Sequence, residues 1–570
     1  MEAPTRNEIG TTETQTSGTT SDNTPSRTMD PGQVEGESED ARIERLGRQR
    51  PEKLDSVWKE AGFVFSVAMS QLLTEYFVSG FTVIIPTVVR ELNIPPASTT
   101  WPASAFSLVL GSFLLPFGRL ADICKYHPVV TSSLSPMLAF LAAIGYRASY
   151  FPLTREKGTC LQYGGFPVYI AGCVWYCVWS LIAGFAKNEL MLDFCRALQG
   201  LGPAAYLPAS LTLLGAMYRP GPRKNLVFSI YGAMAPFGFF VGIFFAGVAA
   251  QYATWEWYFY IGAMLTFVTV CVAYFTTPND FEEHKGNGVK MDWWGSLTTV
   301  VGLILLVFAI TDSSHAPQGW ATPYIYVTLI LAVIALGAAY YVEGWVAEQP
   351  LLPFDVFRIK CMRPFIIGLL FTYGTLGIFL LYATLYFQEV LGLSPMLTVA
   401  WYVPMAVGGC ILAAVGGLLL HRIPALVLMF VTGAAIIIYS LLFALAPEHA
   451  NYWAWYFPSM ICATVAVDLI FNVANIFLST SMPARQQGLA GALANVIPQF
   501  AIALLLGFAD ILVSETADQG QQQSYKNAFW LNLACGSTAL TIFMAFVRID
   551  RATSDYTADE KEEQRREETS

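Results

Sequence analysis

The chain has 570 residues, 55% of them hydrophobic and only 13% charged, with a formal net charge of -10. Soluble domains carry roughly 25% charged residues, so this polar content is too small to cover a water-soluble globule. The acidic balance, with no basic stripe, excludes nucleic acid as a partner, and no G-x-x-x-x-G-K-[ST] loop is present to hold ATP. The cysteines lie mostly in apolar runs without ligand spacing, so neither a metal site nor a cofactor is expected.

Residues 1–58 are rich in Thr, Ser, Glu and Gly and cannot bury enough apolar surface to offset ordering entropy, which predicts a disordered tail. Apolar runs then recur, each near the ~20 residues that a helix needs to cross a ~30 Å hydrocarbon core. Fourteen spans are predicted, at 61–89, 101–117, 166–186, 190–218, 226–250, 257–276, 293–310, 324–342, 365–391, 396–420, 424–445, 453–480, 489–513 and 528–547. Beyond the third span, one side of the alternation carries Arg219, Arg223, Lys224, Lys285, Lys290, Arg358, Lys360, Arg363, Arg422, Arg485, Arg548 and Arg551. The other carries only Lys187 and Lys526. Short basic loops stay in the cytoplasm, so both termini are placed there. Trp255, Trp257, Trp293, Trp294, Trp320, Trp453 and Trp455 stand near span ends, where amphipathic rings favour the headgroup level.

Residues 124–162 break the pattern. Their apolar piece, about 13 residues long, is too short to cross a bilayer, and crossing would turn the later basic loops outward. Without them, Gly118-Arg119-Leu120-Ala121-Asp122-Ile123 joins Tyr163-Gly164-Gly165-Phe166 in a compact turn. A retained intron or other gene-model error explains this; the alternative is a genuine cytoplasmic insertion.

Four motifs follow in chain order. After the second span comes GRLAD, where Gly118 permits a tight helix end and Asp122 can accept hydrogen bonds or pair with a base. The fourth span contains LDFCRALQGLGPAA. Arg196 inside a span is costly unless partnered, hence a functional residue or an interhelical clamp. Gln199 lies three residues on, and Gly200 and Gly202 permit close helix approach. In the fifth span Gly232, Pro236, Gly238 and Gly242 allow bending and close packing. Asp292 and Gly295 open the seventh span.

Other polar residues fall inside spans. Glu75, with Gln71 one turn earlier, is a candidate proton carrier. Asp468, Asn472, Asn475 and Ser479 form one stripe on the twelfth span, facing either a translocation path or a neighbouring helix. Asn495 and Gln499 make a similar pair on the thirteenth. Asp510 is expected near the outer interface, solvated.

The motifs resemble those of the major facilitator superfamily, specifically the fungal fourteen-span drug:proton antiporters and their aminotriazole-resistance branch. GRLAD matches the start of G-x-L-A-D-R-x-G-R-K, although Ile123 and Gly165 stand where basic residues are usual. Leu192, Arg196, Gln199, Gly200, Gly202, Ala204 and Ala205 match L-x-x-R-x-x-Q-G-x-G-A-A. The fifth span partly matches the antiporter pattern G-x-x-x-G-P-x-x-G-G. The resemblance implies an all-α membrane protein of the major facilitator fold, with two six-helix bundles and two extra helices. On this chain these are residues 59–276, 363–548 and, for the linking pair, 277–362, followed by a cytoplasmic tail at 549–570. It also implies a latch at Gly118 and Asp122, proton coupling through Arg196 and a fifth-span hinge; Glu75 and Asp468 are proton-coupling candidates by their place inside spans, not by the resemblance. The expected partners are a small-molecule substrate, protons and the lipid bilayer, and the protein is expected to be a monomer in the cell membrane, with the vacuolar membrane as the alternative. Its expected function is export of a drug or metabolite; the alternatives are low-affinity uptake of ammonium or borate, and a non-transporting receptor or scaffold. An enzyme is not expected.

Overall fold

The computed structural model describes residues 49–548 apart from 52–53, 96–97, 123–164, 219–221, 278–290, 420–422, 448 and 483–486. The stretch at 124–162, residues 1–48 of the N-terminal tail, the C-terminal tail, and the basic residues Arg219, Lys285, Lys290, Arg422, Arg485 and Arg551 therefore lie outside the described residues. Fourteen α-helices form in order: α1 Val57–Leu92, α2 Trp101–Asp122, α3 Gly165–Ala183, α4 Glu189–Met217, α5 Pro222–Tyr252, α6 Glu256–Thr276 and α7 Trp293–Asp312. There follow α8 Pro323–Tyr341, α9 Met362–Leu385, α10 Pro395–Leu419, α11 Ala425–Ala444, α12 Phe457–Ser481, α13 Gln487–Glu515 and α14 Gln521–Phe546.

Thirteen of these helices are long and apolar enough to cross a membrane. The remaining one is α4, whose Asp193, Arg196 and Gln199 lower its hydropathy although its 29 residues are ample. Caps carry several helices past their apolar runs. α1 begins where Ser56 accepts from the Trp58 N–H and ends at Asn93, in the left-handed region with φ 52°. At α7, Asp292 accepts from the Gly295 N–H at 2.8 Å, so the Asp-x-x-Gly pair is a helix cap. The GRLAD segment corrects the sequence reading: it continues α2 as helix to Asp122 and makes no turn at Gly118. The alternation of helices puts Gly118 among side chains of α4, with an added Cβ only 3.5 Å from Pro208 Cβ, and nothing breaks the backbone ladder there.

Two six-helix bundles are packed with one repeated pattern. In the first, α1 packs on α5 and α6, α2 on α4, and α3 on α4 and α6. In the second, α9 packs on α13 and α14, α10 on α12, and α11 on α12 and α14. Adding eight to each number maps one set on the other. The bundles meet along two seams, α2 with α13 and α5 with α10. The extra pair, α7 and α8, packs together, and α7 lies against both α2 and α13. α8 leaves Ile330, Val333, Ile334, Tyr340 and Tyr341 exposed, as suits a helix facing lipid.

Aromatic side chains fill the bundle cores. Tyr76 and Tyr258 stack with centroids 4.8 Å apart, and each hydroxyl donates to the other's carbonyl, at 2.8 and 2.7 Å. Trp257, Trp293, Trp294, Trp320 and Trp453 are exposed, whereas Trp255 is only 1% exposed and packs against Phe259. Trp255, the residue that caps the start of α6, thus belongs to the core.

Candidate functional site

Between the bundles lies a cavity of about 770 Å³, at the end of the molecule that carries Lys224 and Gly118. Its walls are mostly apolar, from Leu114, Leu207, Phe228 and Phe471. Its polar groups are Gln71, Tyr231, Asn475, Ser479 and Asn495, and Gly232 also lines it. Of the predicted stripe on α12, Asn475 and Ser479 reach the cavity. Asn472 instead donates to the Asp468 carbonyl at 2.8 Å, and Asp468 accepts from Thr464 Oγ1 at 2.9 Å. Gln499 lies beyond it on α13, where its Cβ is 3.3 Å from a Cβ built at Gly111 of α2, and its Oε1 is buried without a partner.

Glu75 is half-buried on α1, and its carboxyl forms no hydrogen bond or ion pair with the described residues. Its electrostatic neighbours include Tyr231 of α5 and Tyr373 of α9. Tyr373 is 4% exposed, its hydroxyl is unpartnered, and Asp468 is its other charged neighbour. One aromatic hydroxyl is therefore an electrostatic neighbour of both candidate proton carriers, each from a different bundle. Asp468 also touches the α5–α10 seam: a Cβ built at Gly409 would lie 3.1 Å from Pro236 Cβ and 3.3 Å from Asp468 Oδ2. Pro236, inside α5, thus stands near an acidic group of the opposite bundle, and it removes one backbone hydrogen bond there.

Arg196 stands apart from both carboxylates. It is 1% exposed and donates to the Pro102 carbonyl at 3.1 Å, the Phe77 carbonyl at 3.1 Å and Gln199 Oε1 at 2.8 Å. Gln199 in turn donates to Ser180 Oγ at 2.7 Å. The guanidinium is flanked by the Phe81 and Phe106 rings, at 4.1 and 4.5 Å. A charge so buried is tolerated because its forked donors are met by carbonyls of two other helices. Arg196 holds α1 two residues from Glu75. The glycines beside it serve packing: a Cβ at Gly200 would meet the Phe106 carbonyl at 2.6 Å, and one at Gly202 would meet Tyr176 Cβ at 2.6 Å.

Glu60 escaped the sequence reading, and Asp510 was misjudged by it. Glu60 at the start of α1 is 8% exposed. It accepts from Arg223 at 2.7 and 2.6 Å and from Tyr218 at 3.2 Å, with Arg50 3.3 Å away. The contact spans more than 150 positions, so no spacing announces it. The expected solvation of Asp510 is wrong: it is 5% exposed, covered by residues after α7.

The family model for the Major Facilitator Superfamily matches residues 162–506, beginning where the anomalous stretch ends. A low affinity ammonium transporter of Saccharomyces cerevisiae is 32% identical, over 87% of this chain and 89% of its own length. Efflux pump terJ of Aspergillus terreus is 30% identical, over 90% of this chain and 93% of its own. The aminotriazole resistance protein of Saccharomyces cerevisiae is 29% identical, over 91% of each chain, in keeping with the branch that the motifs resemble. Among solved structures, a crystal structure of the peptide transporter POT superposes with a TM-score of 0.56 at 16% identity, over 85% of this chain and 95% of its own. These relatives are transporters and resistance proteins by name, not enzymes.

Proposed function

The chain belongs to the major facilitator superfamily, and on that premise we propose that it exports a small organic compound in exchange for protons, by alternating access between its two bundles. The observation that carries this reading is the cavity. A volume of about 770 Å³ with predominantly apolar walls suits a drug-sized molecule. The cavity is far larger than an ammonium ion requires. The basic end of the molecule, with Lys224 at the cavity mouth, is taken as cytoplasmic, so the chain is held open to the cytosol and closed outside. Gln71, Tyr231, Asn475 and Asn495 would orient the substrate.

Glu75 and Asp468 are the proton carriers in this reading, and Tyr373 lets each sense the other. A carboxyl without an ionic partner in a low-dielectric path is neutral or charged according to which side hydrates it. Arg196 acts through position, by fixing the stretch of α1 that carries Glu75. Pro236, packed beside Asp468, gives the α5–α10 seam its flexibility, with Gly232, Gly238 and Gly242 on the same helix. The plasma membrane is the proposed location.

Everted vesicles with an imposed inward-acid gradient test the reading, using aminotriazole as the first probe. Accumulation driven by the gradient, and lost in Glu75→Gln and Asp468→Asn at equal protein levels, is expected. Uptake is the second reading, favoured by the ammonium-transporter relative. A deletion strain that grows normally on aminotriazole but poorly on low ammonium would establish it and refute export.

A further inference from the structure

At the opposite end of the seam lies a second hollow, of about 420 Å³, lined by Arg90, Thr100, Tyr382, Gln388, Glu389 and Asp510 among others. Asp510, near the end of α13, is a buried carboxyl that the mechanism above leaves unused. Its Oδ2 accepts from Ser314 Oγ at 2.8 Å and lies 3.3 Å from His315 Nε2. Both partners come from the segment after α7. The last residue of α7 grips the other bundle, since Trp101 Nε1 of α2 donates to Asp312 Oδ1 at 3.3 Å. α7 can press this close because α13 has glycine there: a Cβ at Gly507 would lie 2.7 Å from Thr311 Oγ1. The end of α7 is therefore fastened to both sides of the α2–α13 seam that alternating access must open.

The charges around this contact are few. The segment after α7 brings His315, and α7 itself brings Asp312. α4 brings Glu189, which acts on His315, and α8 brings Tyr324, beside Asp312. α1 brings Arg90, α9 brings Tyr382, the turn that follows it at 386–390 brings Glu389, and α14 brings Tyr525; Thr99 and Thr100, just before α2, contribute hydroxyls. Burial holds His315 below its ordinary range. An ionised carboxylate is costly in the closed, dry seam and is relieved either by water on opening or by a proton on staying shut.

We propose that Asp510, positioned by Ser314 and His315, is a second proton-binding site, whose protonation lets the end of α7 seal α2 against α13. One proton comes from bulk solution at this end, resides on the carboxyl while the seam is closed, and returns when it reopens. No other bond changes. Placing this end outside rests on the functional reading above, but the sealing reaction does not.

The test uses the full chain in lipid nanodiscs, where both ends share one pH. Val513→Cys places a thiol in the hollow. Its labelling rate by a bulky charged maleimide is divided by that of a thiol at exposed Gln523, made by Gln523→Cys. Because protonation favours the closed form, the normalised rate should fall from about pH 8 to about pH 5, by at most tenfold per pH unit for one site. In Asp510→Asn it should be low and independent of pH. A flat profile with Asp510 present, or an unaltered slope in Asp510→Asn, overturns the proposal. If the Asn variant does not fold, Asp510→Glu should shift the midpoint, and an unmoved midpoint is equally fatal. Loss of gradient-driven transport in vesicles with this profile intact would refute the antiport reading alone.

Discussion

At the scale of single residues, Arg196 carries the largest consequence. Two of its three hydrogen bonds join α4 to carbonyls of α1 and α2, and the third goes to Gln199 of α4 itself, all in a buried site. Removing the side chain leaves those acceptors unmet, at about 1–3 kcal/mol for each buried group. Arg196→Ala should therefore lower the thermal unfolding midpoint of the purified protein by several degrees as well as abolish flux. Arg196→Lys should recover only part of the loss, because an ammonium is a point donor without the planar fork. A midpoint unchanged in Arg196→Ala would show that the clamp is not structural and return the residue to proton chemistry alone.

At the scale of elements, the α1–α5 pair is decided by glycine. A Cβ at Gly242 would stand 2.5 Å from the Tyr76 carbonyl, and one at Gly238 would meet the Leu72 carbonyl even closer. These oxygens belong to a helix backbone and cannot turn aside. Gly232, one to three turns earlier on the same helix, has no heavy atom within 4 Å of a built Cβ and lines the cavity. Gly242→Ala should cut the yield of monodisperse protein on size exclusion sharply, whereas Gly232→Ala should fold like the parent. Equal yields would mean that α1 and α5 can part at little cost. The two glycines sit in one motif, yet only their neighbours in space separate a packing role from a place in the cavity wall.

At the scale of the whole molecule, function requires the two bundles to exchange which end is open. In the described state the end opposite the main cavity is closed by contacts across the bundles. Gln388 Nε2, in the turn after α9, donates to the Val83 carbonyl of α1 at 2.9 Å, and the Met396 N–H of α10 donates to Gln251 Oε1 of α5 at 2.9 Å. A short bis-thiosulfonate linker joining cysteines placed by Val83→Cys and Gln388→Cys should stop transport, and a reductant should restore it. Cross-linked protein that still transports would place the moving seam elsewhere. The repeated packing pattern, in which α1 on α5 matches α9 on α13, makes such rocking a rigid-body exchange between two similar units.

The number, order and alternation of the helices were legible in the sequence, because lipid demands an apolar run of fixed length for every crossing and leaves basic residues in the turns. Arg196 was legible for the same reason, as a charge where hydrocarbon tolerates none. Gln199, three residues on, was legible too, but the other two groups that hold the charge were not, since they are backbone carbonyls, which every residue has. Nor was the extent of α2 through GRLAD, where a turn was expected from glycine alone. Glu60 with Arg223, Tyr373 near Glu75 and Asp468, and Asp510 under Ser314 and His315 were decided only by tertiary packing. Each joins helices far apart in sequence, and a hydrogen bond or a buried charge depends on distance in space, which periodicity and composition do not encode.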